Sequence, residues 1–239
     1  MTNSKIRAPF AWFGGKGSPK IKKALLAALP PHRFYIEPFG GGASILLAKP
    51  PAEVEVYNDV NRGVVNFFRV IASRDYFGPF MARVRELPYS RELYEEFLRT
   101  WPAIHDPVEQ AVRWYFVARQ SFGGMCGKAW GTGVTTTPTG RWRSSFENLL
   151  RDSDHEALIE TLLRYRGAVV LSGYDNALYA PLAAAGWDKT ELEVCCSAAG
   201  RTRHSGLQGA GKVKKKQRRV ECIWRNPEAL RRIKDEKKE

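Results

Sequence analysis

Short apolar runs alternate with longer amphipathic stretches toward both ends of the chain. Each run stops at an acidic or turn-forming residue, as a strand does in an open sheet. Predicted strands cover Phe34–Glu37, Glu53–Tyr57, Gly167–Ser172 and Val220–Trp224, and predicted helices cover Ala43–Ala48, Arg62–Ser73, Glu92–Leu98, Val108–Arg119, Leu158–Arg164 and the chain from Glu228 onward. Strands that alternate with helices favour an α/β fold built on a parallel, doubly wound sheet.

The middle of the chain breaks this alternation. Residues 85–120 are mostly helical in pattern, and residues 121–148 are rich in Gly, Thr, Trp and Arg. We therefore predict a mostly helical module over residues 76–149, inserted into a split domain of residues 1–75 and 150–239.

The composition suits a globular protein, since 44% of the 239 residues are hydrophobic and a wholly disordered chain is excluded. No apolar run approaches the roughly 18 residues of a membrane-spanning helix, and the N-terminal residues lack the apolar stretch of a secretory signal. The four cysteines show no Cys-x-x-Cys spacing and the four histidines are scattered, so we expect neither a structural metal nor a disulfide framework. A reduced, cytoplasmic compartment fits this pattern.

The chain is strongly basic, with 38 Lys and Arg against 25 Asp and Glu and a net charge of +13. From residue 189 to the end, 15 basic residues stand against 7 acidic ones. Residues 200–219 combine this charge with glycines, which predicts a mobile loop able to lie along phosphates. The charge favours a polyanionic partner, nucleic acid above all, although a generally basic surface would give the same excess.

A glycine-rich turn is the first chemical signal. The predicted strand Phe34–Glu37 ends in an acidic residue and is followed by Pro38-Phe-Gly-Gly-Gly42, which opens a predicted helix. In open α/β sheets such a turn holds a nucleoside-bearing cofactor, because glycines let the cofactor approach the backbone. Asp59, at the end of the next strand, is placed to accept hydrogen bonds from ribose hydroxyls. The turn matches neither GxGxxG nor GxxxxGK[ST], and a tight turn without any ligand explains it equally well.

Three ordered motifs near the N-terminus carry a resemblance to a known family. They are Phe10-Ala-Trp-Phe-Gly-Gly-Lys16, Ile36-Glu-Pro-Phe-Gly-Gly-Gly42 and Tyr57-Asn-Asp-Val-Asn61. Together they resemble the Dam-like (alpha-group) adenine-N6 DNA methyltransferases, in which a Trp-x-Gly-Gly-Lys segment precedes a Glu-Pro-Phe-x-Gly-Gly/Ala-Gly turn. The resemblance returns in Asp154–Leu158, Val170–Asp175 and Arg219–Pro227, and it is weakest in the middle of the chain.

The resemblance implies a Rossmann-like methyltransferase sheet, S-adenosylmethionine as the methyl donor and double-stranded DNA as the substrate. Trp12 would offer an aromatic face near the adenosine or sulfonium group, and Lys16 would pair with the methionine carboxylate. Glu37 and the glycine turn would line the methionine side, and Asp59 would hold the ribose. The implied cofactor-binding residues are Trp12, Gly14, Gly15, Lys16, Glu37, Pro38, Phe39, Gly40, Gly42 and Asp59. The alternatives are a core position for Trp12 and a surface charge for Lys16.

The chain departs from the family in the residues that carry the chemistry. Family members need an Asp-Pro-Pro-Tyr motif, or a close variant, after the fourth strand to hold the adenine amino group and stack the flipped base. The two Pro-Pro pairs of this chain, Pro30-Pro31 and Pro50-Pro51, follow no apolar strand and are not preceded by Asp, Asn or Ser. We therefore assign no catalytic residue.

A deletion explains the missing motif better than a substitution does. Gly140–Leu149 resembles the end of the family's recognition module, and Asp152–Leu158 resembles the start of the helix after the catalytic strand. Family members place two strands and their connections between these points, roughly 50 residues at ordinary lengths, where this chain has only Leu150-Arg151. We expect a sheet that lacks two strands and that either closes with fewer strands or is poorly formed.

Cations and aromatics interleaved with glycines suit the inserted module to DNA. Cations grip phosphates, Arg or Gln reads base edges, and a flexible aromatic loop fills the gap left by a flipped base. Candidate DNA-binding residues are Arg119, Gln120, Lys128, Arg141 and Arg143 in this module and Lys214, Lys215 and Lys216 in the basic loop. A basic surface on an ordinary helical insert is the alternative.

Two functions stay open for a chain that we expect to be a monomer. One is an S-adenosylmethionine-dependent enzyme that methylates adenine in DNA, as restriction–modification systems do. The other is a catalytically inactive relative, such as a phage or mobile-element product shortened by deletion, that keeps cofactor binding, DNA binding or both.

Overall fold

The computed structural model describes residues 8–121, 126–127, 130, 152–195 and 218–236 of the chain. The helices are α1 (Pro19–Ala28), α2 (Arg62–Ala72), α3 (Arg74–Glu86), α4 (Arg91–Thr100), α5 (Pro107–Gln120), α6 (Asp152–Arg164), α7 (Ala180–Ala184) and α8 (Pro227–Glu236). The strands are β1 (Phe34–Glu37), β2 (Val54–Tyr57), β3 (Val170–Tyr174), β4 (Asp188–Cys195) and β5 (Arg218–Arg225). No helix in the described part of the chain is both long and apolar enough to cross a membrane.

The chain divides into two compact units. Unit 1 consists of Met1–Gly17 and Phe34–Ser145, and unit 2 consists of Ser18–Arg33 and Phe146–Glu239. Strands β1 and β2 therefore belong to unit 1, and strands β3, β4 and β5 belong to unit 2.

Unit 1 has an aromatic core between α2, α3 and α5. Phe67 of α2 is 2% exposed, and its ring centroid lies 5.1 to 5.7 Å from the centroids of Phe10, Phe80, Trp114 and Tyr115. Such ring pairs add about 0.5–1.5 kcal/mol each beyond the free energy of burial. This core holds the N-terminal segment, which carries Phe10, against the helices.

Polar residues fix where the helices of unit 1 begin. The Asn61 side chain accepts the N–H groups of Gly63 and Val64 at 3.0 and 3.2 Å and so caps α2. The Asp106 carboxylate accepts the Glu109 N–H at 2.7 Å and caps α5. These side chains satisfy backbone donors that the first helical turn leaves unpaired.

Strands β1 and β2 form a two-stranded parallel sheet in which Phe34 is opposite Val54 and Ile36 is opposite Val56. Side chains alternate between the two faces of a strand, so these four share one face. All four are exposed, with Phe34 at 65%. Parallel sheets are usually covered on both faces, so an uncovered apolar face is expected of a sheet that lacks neighbours. The loss of two strands itself stays a prediction.

Unit 2 is built on an antiparallel sheet with the strand order β3-β5-β4. Its central strand carries Cys222, Ile223 and Trp224, each at most 2% exposed. Trp224 belongs to a core cluster with Ile159 of α6 and Leu182 of α7. The buried central strand and the short helices therefore account for the stability of this unit.

Asn226 joins the end of β5 to the chain before β3. Its side-chain oxygen accepts the Val169 N–H at 3.0 Å and the Ala229 N–H at 2.9 Å, and its amide group donates to the Gly167 carbonyl oxygen at 2.8 Å. The bond to Ala229 caps α8, which starts at Pro227, a residue favoured at the first helical position.

The predicted elements are largely present. Strand β1 has its predicted bounds, β2 is shorter than predicted, β3 lies further along the chain, and β5 extends beyond its predicted bounds at both ends. The predicted helix Ala43–Ala48 is wrong, because this segment forms successive turns and begins at Ala43 with a φ of 54°. Strand β4 has no predicted counterpart, because charged residues interrupt its apolar positions.

The topology supports only part of the predicted architecture. The mixed helix and strand class is confirmed, but β1 and β2 are the one parallel pair among the described strands, so the doubly wound sheet stays a prediction. The compact units also differ from the predicted modules, because α2 packs against α3 and α5, and all three helices belong to the same unit as β1 and β2. The assignment of residues 76–149 to DNA recognition stays a prediction.

Candidate functional site at the glycine turn

The glycine turn (Pro38–Gly42) lies where the two parallel strands end. Gly40 donates its N–H to the carbonyl oxygen of Asn58 at 2.9 Å, and Asn58 donates its N–H to the carbonyl oxygen of Glu37 at 3.0 Å. The Asn58 side chain also donates to the Pro38 carbonyl oxygen at 3.1 Å. These bonds hold the turn at the carboxyl edge of the strand pair, where open α/β sheets bind ligands.

Asp59 connects the glycine turn to the start of α2. Its Oδ2 atom accepts the N–H of Gly41 at 2.8 Å, and its Oδ1 atom accepts the N–H of Asn61 at 2.9 Å. Each carboxylate oxygen has a second lone pair, so both oxygens keep acceptor capacity. The structural role of Asp59 is therefore compatible with the predicted contact to ribose hydroxyls, which stays a prediction.

Gly40 and Gly41 are required by the protein's own aromatic rings. A Cβ atom at Gly40 would lie 2.0 Å from the Tyr57 ring, and a Cβ atom at Gly41 would lie 2.5 Å from the Trp12 ring. Gly41 also has a φ of +48°, in the left-handed region that favours glycine. The turn thus needs glycines for a close approach, and the approaching groups are Tyr57 and Trp12. Access of a cofactor to the same backbone stays a prediction.

Trp12 lies at the rim of the aromatic core of unit 1. Its ring centroid is 5.9 Å from that of Phe10 and 6.2 Å from that of Trp114, and its side chain is half-buried. Packing against the core and Gly41 therefore accounts for the contacts of Trp12, and a cofactor contact of this ring stays a prediction.

The segment after Trp12 is a tight turn. Gly15 donates its N–H to the Trp12 carbonyl oxygen at 3.0 Å, and Gly14 has a φ of +72°. Gly14 is the third residue of this turn, the position at which a type II turn needs a positive φ. The turn leads directly to Lys16, which is half-buried.

Glu37 is the acidic residue at the end of β1. Its Oε2 atom accepts the N–H of Leu46 at 3.0 Å and the hydroxyl hydrogen of Tyr35 at 3.3 Å. Burial raises the pKa of Glu37 above its ordinary value, partly opposed by these two hydrogen bonds and by Lys49. Phe39, two residues further, is exposed. The site thus offers one partly desolvated carboxylate beside an exposed aromatic ring.

The groups at this turn suit a cofactor with an amino group and ribose hydroxyls. Glu37 and Asp59 supply carboxylate oxygens. Glu37 directly precedes the glycine turn, and Asp59 accepts a hydrogen bond from Gly41 within it. A carboxylate accepts from an ammonium or a hydroxyl group, so the acceptors present match those donors.

Two DNA-binding candidates fall within the described residues. Arg119 is exposed in the last turn of α5. Gln120 is buried, and its Oε1 atom accepts the Trp130 indole N–H at 3.1 Å. A buried amide bonded to its own chain does not favour contact with a base edge, and the DNA-binding role of Gln120 stays a prediction. Outside the described residues lie Lys128, Arg141, Arg143, Lys214, Lys215 and Lys216.

Unit 2 contains a polar cluster that the sequence pattern did not single out. Asp175, Glu191 and Cys222 bring their ligand atoms within 4.8 Å of one another. The ammonium group of Lys189 lies 3.1 Å from the Asp175 carboxylate and 2.8 Å from that of Glu191. Lys189 therefore supplies the positive charge that these carboxylates face. Side chains from strands β4 and β5 form this cluster together with Asp175, so only the sheet register could have revealed it.

A cavity of about 360 Å³ lies beside this cluster and is lined by Asp175, Asn176, Ala177, Tyr179, Ala180, Ala183, Lys189 and Trp224. It belongs to unit 2, whereas the glycine turn belongs to unit 1. The predicted cofactor residues therefore do not line this cavity.

An acidic strand end followed by a glycine turn at the edge of parallel strands is typical of α/β proteins that bind nucleoside-bearing cofactors. Residues 12–172 match the model of the D12 class N6 adenine-specific DNA methyltransferase family. This match covers more than half of the chain, so the chain belongs to that family, and the predicted relationship to Dam-like adenine methyltransferases is confirmed. No curated protein matches the chain significantly.

Proposed function

We propose that the protein binds S-adenosylmethionine at the glycine turn, as a member of a family whose reaction is the methylation of adenine at N6 in DNA. The observation that supports the cofactor site is the meeting of Glu37, Gly41 and Asp59 at the end of the parallel strands. Glu37 would accept from the amino group of the cofactor, and Asp59 would accept from its ribose. Trp12 and Lys16 would contact the sulfonium and carboxylate groups. The bound cofactor would supply the methyl group.

Double-stranded DNA is the polyanion that we propose as partner. The net charge of +13 and the exposed Arg119 support this assignment. The basic residues between 200 and 219 would add phosphate contacts that do not depend on base sequence.

A catalytically inactive relative is the second candidate, and one sequence observation favours it. The chain contains no Asp-Pro-Pro-Tyr segment, so the groups that would hold the adenine amino nitrogen and stack the flipped base have no identified replacement. Asp152 and Asp154 lie near the join, but both are in the first turn of α6, where carboxylates stabilise the helix dipole. Positioning of reactants accounts for about 7–11 kcal/mol of barrier lowering, so we expect methyl transfer by the unmodified chain to stay at background.

Calorimetry tests the cofactor site. We expect S-adenosylmethionine to bind the purified protein, and the Glu37→Gln and Asp59→Ala variants to bind it more weakly. The exposed acidic residue Glu92 at the start of α4 provides a control, Glu92→Ala, with unchanged binding. Folded protein that does not bind the cofactor would contradict the proposal.

The salt dependence of DNA binding tests whether double-stranded DNA is the partner. Each phosphate contact releases counterions, so affinity should fall steeply with salt concentration. Removal of residues 201–218 should flatten the slope of log affinity against log salt by several units. An unchanged slope would show that this segment does not contact phosphates.

A methylation-sensitive restriction digest separates the two candidate functions. DNA is incubated with the unmodified chain and S-adenosylmethionine, and its protection is compared with a control without protein. Protection at the control level supports the inactive relative, whereas protection well above the control shows that other residues supply the catalytic groups.

A further inference from the structure

Four polar residues form a connected cluster on the face of the β1–β2 pair opposite the apolar one. Tyr35 and Glu37 lie two positions apart on β1, and Glu55 is opposite Tyr35 in the sheet register. The fourth member, Lys49, comes from the segment of turns that follows the glycine turn. We call this group the Tyr35 cluster.

Lys49 is the buried cation of the Tyr35 cluster. Its side chain is 1% exposed and forms an ion pair with Glu55. Its Nζ atom donates to the Pro50 carbonyl oxygen at 3.0 Å and lies 4.4 Å from the centre of the Tyr35 ring. A buried ammonium is tolerated only when it is paired, and its attraction to the ring face holds Tyr35 in place.

Tyr35 acts on Glu37 through its hydroxyl group. The hydroxyl donates to Glu37 Oε2 at 3.3 Å, and the N–H of Leu46 donates to the same oxygen at 3.0 Å. Burial, followed by the charge of Glu37, raises the pKa of Tyr35 above its ordinary value, so the phenol keeps its proton and remains the donor. Both donors converge on Oε2, and no hydrogen bond from the described residues reaches Oε1.

We propose that Tyr35 is a positioning residue, which fixes the Glu37 carboxylate by Oε2 so that Oε1 accepts the ammonium group of a bound amino-acid moiety. Lys49, paired with Glu55, keeps the Tyr35 ring in place, and neither Lys49 nor Glu55 contacts the ligand. The proposal rests on the proposed cofactor site and adds the means by which that site recognises the amino-acid end of the cofactor.

Two ligands that differ at this end provide the test. S-Adenosylhomocysteine carries the ammonium group, whereas 5′-methylthioadenosine keeps the adenosine and the thioether and lacks the amino-acid end. Tyr35→Phe removes the hydroxyl and keeps the ring over which Lys49 lies. By calorimetry we expect Tyr35→Phe to weaken S-adenosylhomocysteine binding by about 3- to 10-fold, the range for one lost hydrogen bond, with 5′-methylthioadenosine unchanged. Tyr76→Phe, at an exposed tyrosine of α3, should change neither affinity.

A double-mutant cycle separates positioning from a general effect on folding. If Tyr35 acts only through Glu37, adding Tyr35→Phe to Glu37→Gln should produce no further loss of S-adenosylhomocysteine affinity. Equal weakening of both ligands by Tyr35→Phe, or no weakening of either, would overturn the positioning role while the cofactor site stands. Failure of the unmodified protein to bind either ligand would overturn the cofactor site and this inference with it.

Discussion

The Asp59 carboxylate accepts the backbone N–H of Gly41 at 2.8 Å, although 18 residues separate the two in sequence. Its other oxygen accepts the N–H of Asn61, whose own side chain caps α2. One side chain thus fixes both the glycine turn and the start of a core helix. A substitution at Asp59 should therefore affect folding as well as binding.

Asp59→Ala is expected to lower the free energy of unfolding by about 1–3 kcal/mol, because two backbone N–H groups lose a charged acceptor. It should also weaken S-adenosylmethionine binding by about 1–3 kcal/mol. Chemical denaturation measures the first effect and calorimetry the second. Asp75→Ala, in the exposed first turn of α3, is the control: it should leave the affinity unchanged and lower the free energy of unfolding by at most about 1 kcal/mol, the upper end for an exposed carboxylate at a helix N-terminus. Full affinity in Asp59→Ala would remove Asp59 from the cofactor site.

Two helical glycines should respond differently to replacement by alanine. A Cβ atom at Gly63 of α2 would lie 2.1 Å from the Trp114 ring, whereas a Cβ atom at Gly78 of α3 would meet nothing within 4 Å. We expect Gly63→Ala to destabilise the protein by about 1–3 kcal/mol through overpacking. Gly78→Ala should change the free energy of unfolding by less than about 0.5 kcal/mol, because the better helix propensity of alanine is opposed by Pro79, which disfavours the helical conformation of a preceding residue with a Cβ atom. Thermal unfolding of both variants is the measurement, and equal shifts would contradict the packing of α2 against Trp114.

The sequence was most informative where a local pattern decides the structure. The short apolar run Phe34–Glu37, which ends at the Pro-Phe-Gly turn, predicted β1 with the bounds that the structure shows. The largely apolar segment Ala43–Ala48 was predicted to be helical, yet Gly41, which contacts the Trp12 ring and the Asp59 carboxylate, has a positive φ, and so does Ala43. Both groups come from elsewhere in the chain, so no local pattern could reveal them.

In the candidate site, too, residues in local motifs could be predicted, whereas contacts between distant parts of the chain could not. Glu37 and Asp59 were predicted as cofactor residues from motifs and do lie at the glycine turn, although their binding role is untested. The support that Lys49 and Tyr35 give to Glu37 was not predicted, because it depends on the register of two strands and on a turn folding back over them. The hydrogen bond between Gln120 and Trp130 was not predicted either, because helix periodicity does not show which later residue contacts Gln120.

Binding of an ammonium-bearing ligand should depend on pH through Glu37, whose pKa is raised mainly by burial. The ionised carboxylate is the form that attracts the ligand, so affinity for S-adenosylhomocysteine should rise as the pH increases from the ordinary pKa of a glutamate through this raised pKa. The same shift means that the folded state holds the proton more tightly than the unfolded state. The contribution of Glu37 to the free energy of unfolding should therefore fall as pH rises through that window. In Glu37→Gln, calorimetry should show that the affinity no longer rises with pH, and chemical denaturation should show that the contribution of Glu37 to the free energy of unfolding is absent. A pH-independent affinity in the unmodified protein would contradict the assignment.

The exposed apolar face of the parallel pair should be detectable in solution. Ile36 and Val56 lie opposite each other on this face, and both are exposed. Replacing both with Thr keeps residues suited to strands, so we expect the free energy of unfolding to change by less than about 1 kcal/mol. Binding of the dye ANS, which reports exposed apolar surface, should fall. Phe67→Ala is the contrast, because its buried ring should cost about 3–5 kcal/mol. A large loss of stability in the double Thr variant would show that another element covers this face.

Restoring the missing segment should restore the chemistry. A family-typical segment with Asp-Pro-Pro-Tyr, inserted between Leu149 and Asp152, would supply the acceptor for the adenine amino group and the ring that stacks on the flipped base. We expect this variant to protect DNA in the methylation-sensitive digest, while the unmodified chain stays at background. The matched control carries the same insert with its Asp changed to Ala. This control keeps the added length and any repair of the sheet but loses the acceptor, so it should stay inactive.

Equal protection by both inserts would mean that the segment acts by completing the fold. No protection by the intact insert, in a protein that still binds S-adenosylmethionine and DNA, would show that the chain has lost more of its catalytic arrangement than this motif.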